Sequence, residues 1–121
     1  MSSSYKDLVV WQKALCLVKD VYHLTGAFPE GEKYGLVSQM RRAAVSIPSN
    51  IAEGQARRSF REFVQFVSQA EGSAAELETQ LLISLELGYC GDGKAHQALD
   101  SIAEVRKMLG SLRRKLLARP D

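Results

Sequence analysis

The feature that most constrains the fold is a long apolar stripe with helical spacing in residues 60–87. Apolar or small side chains recur there at intervals of three and four residues: Phe60, Phe63, Val67, Ala70, Ala74, Leu77, Leu81 and Ser84. This spacing places them on one face of a helix about 42 Å long, at about 1.5 Å per residue. Because such a face must be buried, the rest of the chain has to supply partner helices.

Three other segments show the same periodicity, at about residues 7–25, 32–56 and 93–118. Ser59 and Glu62 predict a capping box at the start of helix 3, immediately after helix 2 ends. So short a connection makes helices 2 and 3 antiparallel neighbours. No segment alternates with the period of a strand. The sequence therefore predicts one all-α domain over residues 1–121, an antiparallel up-down-up-down four-helix bundle.

Helix 1 has more apolar surface than one core face needs. One stripe contains Leu8, Trp11, Leu15, Val18 and Tyr22, and the stripe beside it contains Val10, Ala14, Leu17, Val21 and Leu24. A domain of 121 residues does not enclose a helix on all sides. The surplus surface therefore indicates a partner, most simply a second copy of the chain.

Helix 2 contains a proline at a position where the helix should continue. Pro48 lacks a backbone N–H and disfavours helical dihedral angles at the preceding residue, so we expect a kink near it. Asn50 and Glu53 have the spacing of a second capping box, which would restart the helix after the proline.

The run Arg-Arg-Ala-Ala-Val-Ser-Ile-Pro-Ser-Asn-Ile-Ala-Glu-Gly at residues 41–54 resembles the signature of the four-helix-bundle proteins encoded in intervening sequences of bacterial large-subunit (23S) rRNA. Residues 7–14, Phe28-Pro29 with residues 34–36, and residues 72–79 agree with that resemblance. The resemblance implies a four-helix bundle that assembles into a ring, with five subunits expected. Related accessory variability proteins of retroelements are thought to hold nucleic acid and a reverse transcriptase.

Composition excludes several classes of protein. No run approaches the roughly 18 uncharged apolar residues of a membrane span, and the N-terminus lacks the apolar segment and cleavage site of a signal peptide. Cys16 and Cys90 are isolated, so we expect reduced thiols. These features favour a cytoplasmic protein with no membrane partner.

The small net charge of +2 conceals three blocks of alternating sign. Residues 1–61 carry nine bases and five acids (+4), residues 62–92 carry six acids and no base (−6), and residues 93–121 carry seven bases and three acids (+4). One interpretation is that an acidic helix 3 neutralises its basic neighbours.

Groups that could form a catalytic or metal site are few. Asp20 and His23 have the i, i+3 spacing of di-metal bundle sites, but such a site needs a second copy of the motif. We therefore expect no metal, no cofactor and no enzymatic activity. The weakest alternative is a nuclease that uses the helix 3 acids Glu71, Glu76 and Glu78.

Structural roles explain Glu71 and Glu78 better, because both flank the core stripe of helix 3. A half-buried carboxylate needs a partner. Arg41 and Arg42, on the adjacent helix, are the expected partners in an ion pair that sets the helix register.

Two basic clusters carry the functional prediction. Arg57, Arg58 and Arg61 lie at the corner between helices 2 and 3, and the end of helix 4 carries Arg113, Arg114, Lys115 and Arg119. Because helices 2 and 4 run in the same direction in the predicted bundle, both clusters should lie at one end. Lysine and arginine there would neutralise phosphates. The alternative is a solvated basic end that only complements two helix dipoles.

We therefore expect a non-enzymatic, homo-oligomeric bundle that binds RNA or DNA through phosphate contacts. Phe60 is the only aromatic residue among the basic clusters, so base stacking is not indicated. The alternative function is a scaffold ring that binds an acidic protein or a reverse-transcriptase-like partner, without nucleic acid.

Overall fold

The computed structural model describes residues 4–120, which form four α-helices and two short 3-10 helices. The α-helices are α1 (Val9–Thr25), α2 (Leu36–Gln55), α3 (Phe60–Glu86) and α4 (Asp92–Leu117). The 3-10 helices, Tyr5–Asp7 and Glu30–Glu32, precede α1 and α2. Residues 1–3 and residue 121 of the predicted domain lie outside the described range. Residues 1–3 are also part of the N-terminus in which we expected no signal peptide.

Packing between the helices confirms the predicted all-α, four-helix fold. Both α1 and α3 pack on α2 and on α4, so each helix has two neighbours. The buried core takes residues from every helix: Val10, Ala14, Leu17 and Val21; Met40, Ala44, Ile47 and Ile51; Val67, Ala70, Ala74, Leu77 and Leu81; Ala98, Ile102, Val105 and Leu109. Within residues 4–120, no helix has both the length and the apolar character needed to cross a membrane. The up-down-up-down order stays a prediction.

The two apolar stripes of α1 differ in how deeply they are buried. The stripe of Val10, Ala14, Leu17, Val21 and Leu24 is buried in the core. In the other stripe, Leu15 and Tyr22 are 40% and 43% exposed, while Leu8, Trp11 and Val18 are half-buried. The bundle therefore leaves an apolar strip along the outside of α1.

Pro48 is buried inside α2, which is helical without interruption from Leu36 to Gln55. The predicted capping box is therefore wrong, since a continuous helix has no N-terminus at Asn50. Instead, Asn50 Nδ2 donates to the carbonyl of Ser46 at 2.8 Å, and Ser46 Oγ donates to the carbonyl of Ala43 at 3.0 Å. Pro48 leaves the carbonyl of Ala44 without its helical N–H donor, and these side-chain bonds go to other carbonyls of the same stretch. The kink stays a prediction.

The start of α2 is connected to the turn between α3 and α4. Glu32 Oε1 accepts the backbone N–H of Leu36 at 3.1 Å, and Glu32 Oε2 accepts the hydroxyl of Tyr89 at 2.8 Å. These bonds, led by the one from Tyr89, lower the pKa of Glu32, and the same bond raises the pKa of Tyr89. The Tyr89 ring also packs against Phe28, with 5.5 Å between ring centroids.

Cys16 and Cys90 are free thiols, as predicted. Cys16 is exposed on α1, and Cys90 is half-buried in the turn before α4. Burial, followed by the charge of Asp92, raises the pKa of the Cys90 thiol.

Candidate nucleic-acid interface

Contacts around Phe60 bring one member of the helix 4 cluster, Arg119, to the basic cluster between α2 and α3. Cζ of Arg119, beyond the end of α4, lies 5.3 Å from the centroid of the Phe60 ring, at the start of α3. Arg61 and Arg119 line one groove, while Arg57 and Arg58 line a second groove with Phe60 and the C-terminal Pro120. We call Arg57, Arg58, Arg61 and Arg119 the basic corner.

The connection between α2 and α3 explains why these arginines face solvent. α2 ends at Gln55, and Ser59 caps α3 by accepting the backbone N–H of Glu62 at 3.1 Å. This confirms the Ser59 half of the predicted capping box. Arg57 and Arg58 occupy the short link between those two points, and both are exposed.

The close approach of α2 to α3 beside this link depends on Gly54. A Cβ atom at Gly54 would lie 2.7 Å from Cβ of Phe66 and 2.8 Å from Cδ1 of Phe63. Both distances are well below ordinary van der Waals contact. The last turn of α2 therefore rests directly on the two phenylalanines that follow the corner.

The four arginines of the basic corner differ in their contacts within the protein. Arg57 is 3.9 Å from the carboxylate of Glu53 and lies over the Phe66 ring, with 4.7 Å between its Cζ and the ring centroid. Arg58, Arg61 and Arg119 are exposed and form no ion pair with any residue between 4 and 120. Three cations thus remain available to an anionic ligand.

The structure does not place the other predicted cations at the corner. Arg113 Nε donates to Glu71 Oε1 at 2.8 Å, so its charge is balanced within the bundle. The Arg114 side chain turns back over Gly110, where a Cβ atom would lie 3.3 Å from Arg114 Nη1. Lys115 lines a groove on the α1 side, with Leu8 and Val9. Of the helix 4 cluster, only Arg119 joins the corner.

The predicted partners of the helix 3 carboxylates were wrong. Glu71 pairs with Arg113, and Glu78 pairs with Arg106 at 2.6 Å. Both acids therefore lie on the side of α3 that faces α4, since Arg106 and Arg113 belong to α4. The interpretation of an acidic helix 3 that balances a basic neighbour therefore holds for α4.

Arg41 and Arg42 have other environments. Arg41 Nε donates to Thr25 Oγ1 at 2.9 Å, and Arg41 Nη2 donates to the carbonyl of Tyr22 at 3.3 Å. Cζ of Arg41 also lies 4.4 Å from the centroid of the Tyr22 ring. Arg41 thus binds the C-terminal turn of α1, where carbonyls lack helical partners. Arg42 is exposed and has no ion pair within residues 4–120.

Elsewhere, the acids of α3 do not converge on one point. Glu71 and Glu78 are in separate ion pairs, and Glu76 accepts a hydrogen bond from Gln80 at 3.2 Å. Across the part of the chain that the structure describes, no three His, Cys, Asp or Glu side chains are grouped so that they could hold a metal ion. Asp20 and His23 line a cavity of about 150 Å³ with Lys94.

The sequence interpretation missed the stack of Arg119 on Phe60. A signal was present, since Phe60 opens the apolar stripe of α3 but stands between Arg58 and Arg61. Phe60 is 36% exposed, unlike the rest of that stripe, which is buried.

Comparisons with known proteins agree with the fold. A sequence model of the 23S rRNA-intervening sequence protein family matches residues 6–111, which include Arg57, Arg58 and Arg61 but not Arg119. A solved structure of a protein of unknown function from the S23 ribosomal protein family of Bacteroides thetaiotaomicron VPI-5482 superposes with a TM-score of 0.79. The two proteins share 23% sequence identity, and the superposition covers 88% of this chain and 99% of the chain of the solved structure. No curated protein matches the chain.

Proposed function

This chain belongs to the 23S rRNA-intervening sequence protein family, and we propose for it a function that a small helical bundle can perform. The protein is a non-enzymatic homo-oligomer that binds RNA or DNA through phosphate contacts at its basic corner. The observation that carries the proposal is the convergence of Arg58, Arg61 and Arg119, which are exposed and form no ion pair within residues 4–120.

The distribution of ion pairs within the bundle supports this choice of site. Two cations of α4 pair with acids of α3, Arg113 with Glu71 and Arg106 with Glu78. Lys94 and Lys107 of α4 form no ion pair within residues 4–120, but they lie far apart along the helix. At the corner, the nearest acid in sequence is Glu62, which is exposed and forms no ion pair within residues 4–120. A polyanion therefore has more to gain at the corner than along the sides of the bundle.

Assembly of several copies would strengthen binding. The outer face of α1 leaves Leu15 and Tyr22 exposed between half-buried apolar neighbours, and a second copy would cover them. In a closed ring, which we expect to have five subunits, one basic corner per subunit would repeat around the axis. Several weak phosphate contacts then act together on one strand. A cytoplasmic location, where RNA and DNA are accessible, is part of this proposal.

The test is fluorescence anisotropy of the assembled protein with labelled single-stranded DNA, duplex DNA and structured RNA across a range of salt concentrations. If the three unpaired corner arginines each neutralise one phosphate, the slope of log K against log salt per subunit is about −2.1 on single strands and about −2.7 on duplex DNA. The variant Arg58→Gln/Arg61→Gln/Arg119→Gln should lose most of the affinity and reduce the slope by about 2 on single strands.

A matched control removes the same charge elsewhere. Lys19, Lys94 and Lys107 are exposed and form no ion pair within the described range. Their triple change to Gln should leave most of the affinity in place. Equal losses in both variants would mean that net charge, and not the corner, attracts the ligand. No binding by the assembled protein would contradict the proposal and leave the scaffold function, with an acidic protein as partner.

A further inference from the structure

The basic corner contains two grooves that are partly lined by apolar side chains, which a surface for phosphates alone does not need. The first, of about 400 Å³, is lined by Arg61, Val64, Gln65, Leu116, Leu117 and Arg119. The second, of about 370 Å³, has Phe60, Phe63 and Pro120 among its lining residues, beside Arg57 and Arg58. Both volumes lie in the range of about 300–1,000 Å³ that is typical of small-molecule pockets.

The lining of these grooves combines two kinds of chemistry. Arginines carry the charge, and most of the other lining side chains are apolar. Gln55, Ser59 and Gln65 add uncharged polar groups, and no acid is among the lining residues that the structure describes. Duplex nucleic acid presents phosphates outwards but keeps the faces of its bases stacked inside. An unpaired nucleotide offers a phosphate and an apolar, planar base together, so its chemistry complements both parts of the lining.

The pair of Phe60 and Arg119 joins the two grooves, since each groove is lined by one of its members. A guanidinium group is planar and has two faces, and its N–H donors lie in its plane. The Arg119 guanidinium lies over the Phe60 ring, within the roughly 6 Å range of a cation–π contact. From that position it can stack on a base while its edge binds phosphate.

We propose that the basic corner binds an unpaired nucleotide, with Phe60 and Arg119 as its stacking platform, so that single-stranded RNA or DNA is preferred to duplex. This inference rests on the proposed function and specifies its ligand. It adds base stacking to phosphate contacts, which the sequence did not indicate.

The decisive experiment compares an oligothymidine with an abasic oligomer that has the same number of phosphates, using anisotropy with the full chain. We expect the oligothymidine to bind about fivefold to a hundredfold more tightly, which is the usual contribution of one stacked base. A duplex with the same number of phosphates should bind like the abasic oligomer. An oligouridine arm separates RNA from DNA as the preferred source of the base.

Variants identify the platform. Phe60→Leu keeps an apolar side chain but removes the ring, so the affinity gap between oligothymidine and abasic oligomer should close. The slope against salt should stay the same, because no charge changes. Arg119→Lys keeps the charge but loses the planar group, and it should narrow the gap as well. Arg119 lies beyond the end of α4, so this variant tests the platform without altering the core.

Tyr34→Leu is the matched control. Tyr34 is also an exposed ring beside a cation, with Lys33 Nζ 5.6 Å from its ring centroid. It precedes α2, whose 20 residues span about 30 Å between this ring and the basic corner. The control should leave the gap unchanged.

Each outcome decides between the two proposals. Equal binding of oligothymidine and abasic oligomer, or a gap that survives Phe60→Leu, would overturn the stacking platform and leave phosphate binding intact. Tighter binding of duplex than of a single strand with the same number of phosphates would also overturn it. Failure to bind any of the oligomers would overturn the proposed function itself.

Discussion

Replacing Gly54 with alanine should destabilise the bundle, although alanine is the better helix former. Its new Cβ would lie 2.7 Å from Cβ of Phe66, an atom that cannot move without its backbone, and 2.8 Å from the buried ring of Phe63. Overpacking of this kind costs about 1–3 kcal/mol. The gain in helix propensity returns about 0.5–1 kcal/mol, so the midpoints of the two ranges leave a net loss of about 1 kcal/mol.

The matched control is Gly72→Ala, inside α3. Gly72 is exposed, and a Cβ atom there would meet nothing within 4 Å. The same substitution should therefore raise the free energy of unfolding by about 0.5–1 kcal/mol. The two variants should move stability in opposite directions, because one Cβ enters a helix contact and the other enters solvent.

Urea denaturation followed by circular dichroism measures both effects, with protein concentration held constant because assembly contributes to apparent stability. In a separate thermal melt, the melting temperature of Gly54→Ala should fall by about 3–6 °C. If Gly54→Ala is as stable as the parent while Gly72→Ala is stabilised, then α2 and α3 are not in the close contact described above, and the reasoning fails.

Arg41→Ala should lower the free energy of unfolding by about 1–2 kcal/mol, because it removes charge-assisted hydrogen bonds to the end of α1, including the one to Thr25. Arg42→Ala is the exposed control, and equal melting temperatures for both variants would count against this role. Tyr89→Phe removes the main cause of the lowered pKa of Glu32. A lowered pKa stabilises the fold above the ordinary value of about 4.5 and loses its effect as pH falls through the lowered value. The stability difference between parent and Tyr89→Phe should therefore be largest near neutral pH and shrink in acid, and a difference that grows in acid would contradict the assignment.

Much of the fold could be predicted from the sequence because periodicity reports burial directly. The stripes that begin at Phe63 in α3 and at Ala98 in α4 are buried almost throughout. The capping hydroxyl of Ser59 was also predictable, since a local motif specifies it. Each of these features depends on one helix or on one turn.

The sequence did not show which of two neighbouring helices would contact a given residue. α1 carries two apolar stripes of similar strength, and only packing on α2 and α4 decides that the stripe of Val10 enters the core. Glu71 flanks a stripe that has a helix on either side, so its partner could have been Arg41 or Arg113. Periodicity defines a face but does not identify the neighbour that covers it.

The candidate site shows the same division. The sequence by itself determined that arginines gather at the corner before α3 and at the end of α4, because composition and helix order decide that. Only the tertiary structure decided that Arg119 stacks on Phe60 while Arg113 is balanced by Glu71. The physical reason is distance, since ion pairs and ring contacts depend on a few ångströms between helices that are far apart in the chain.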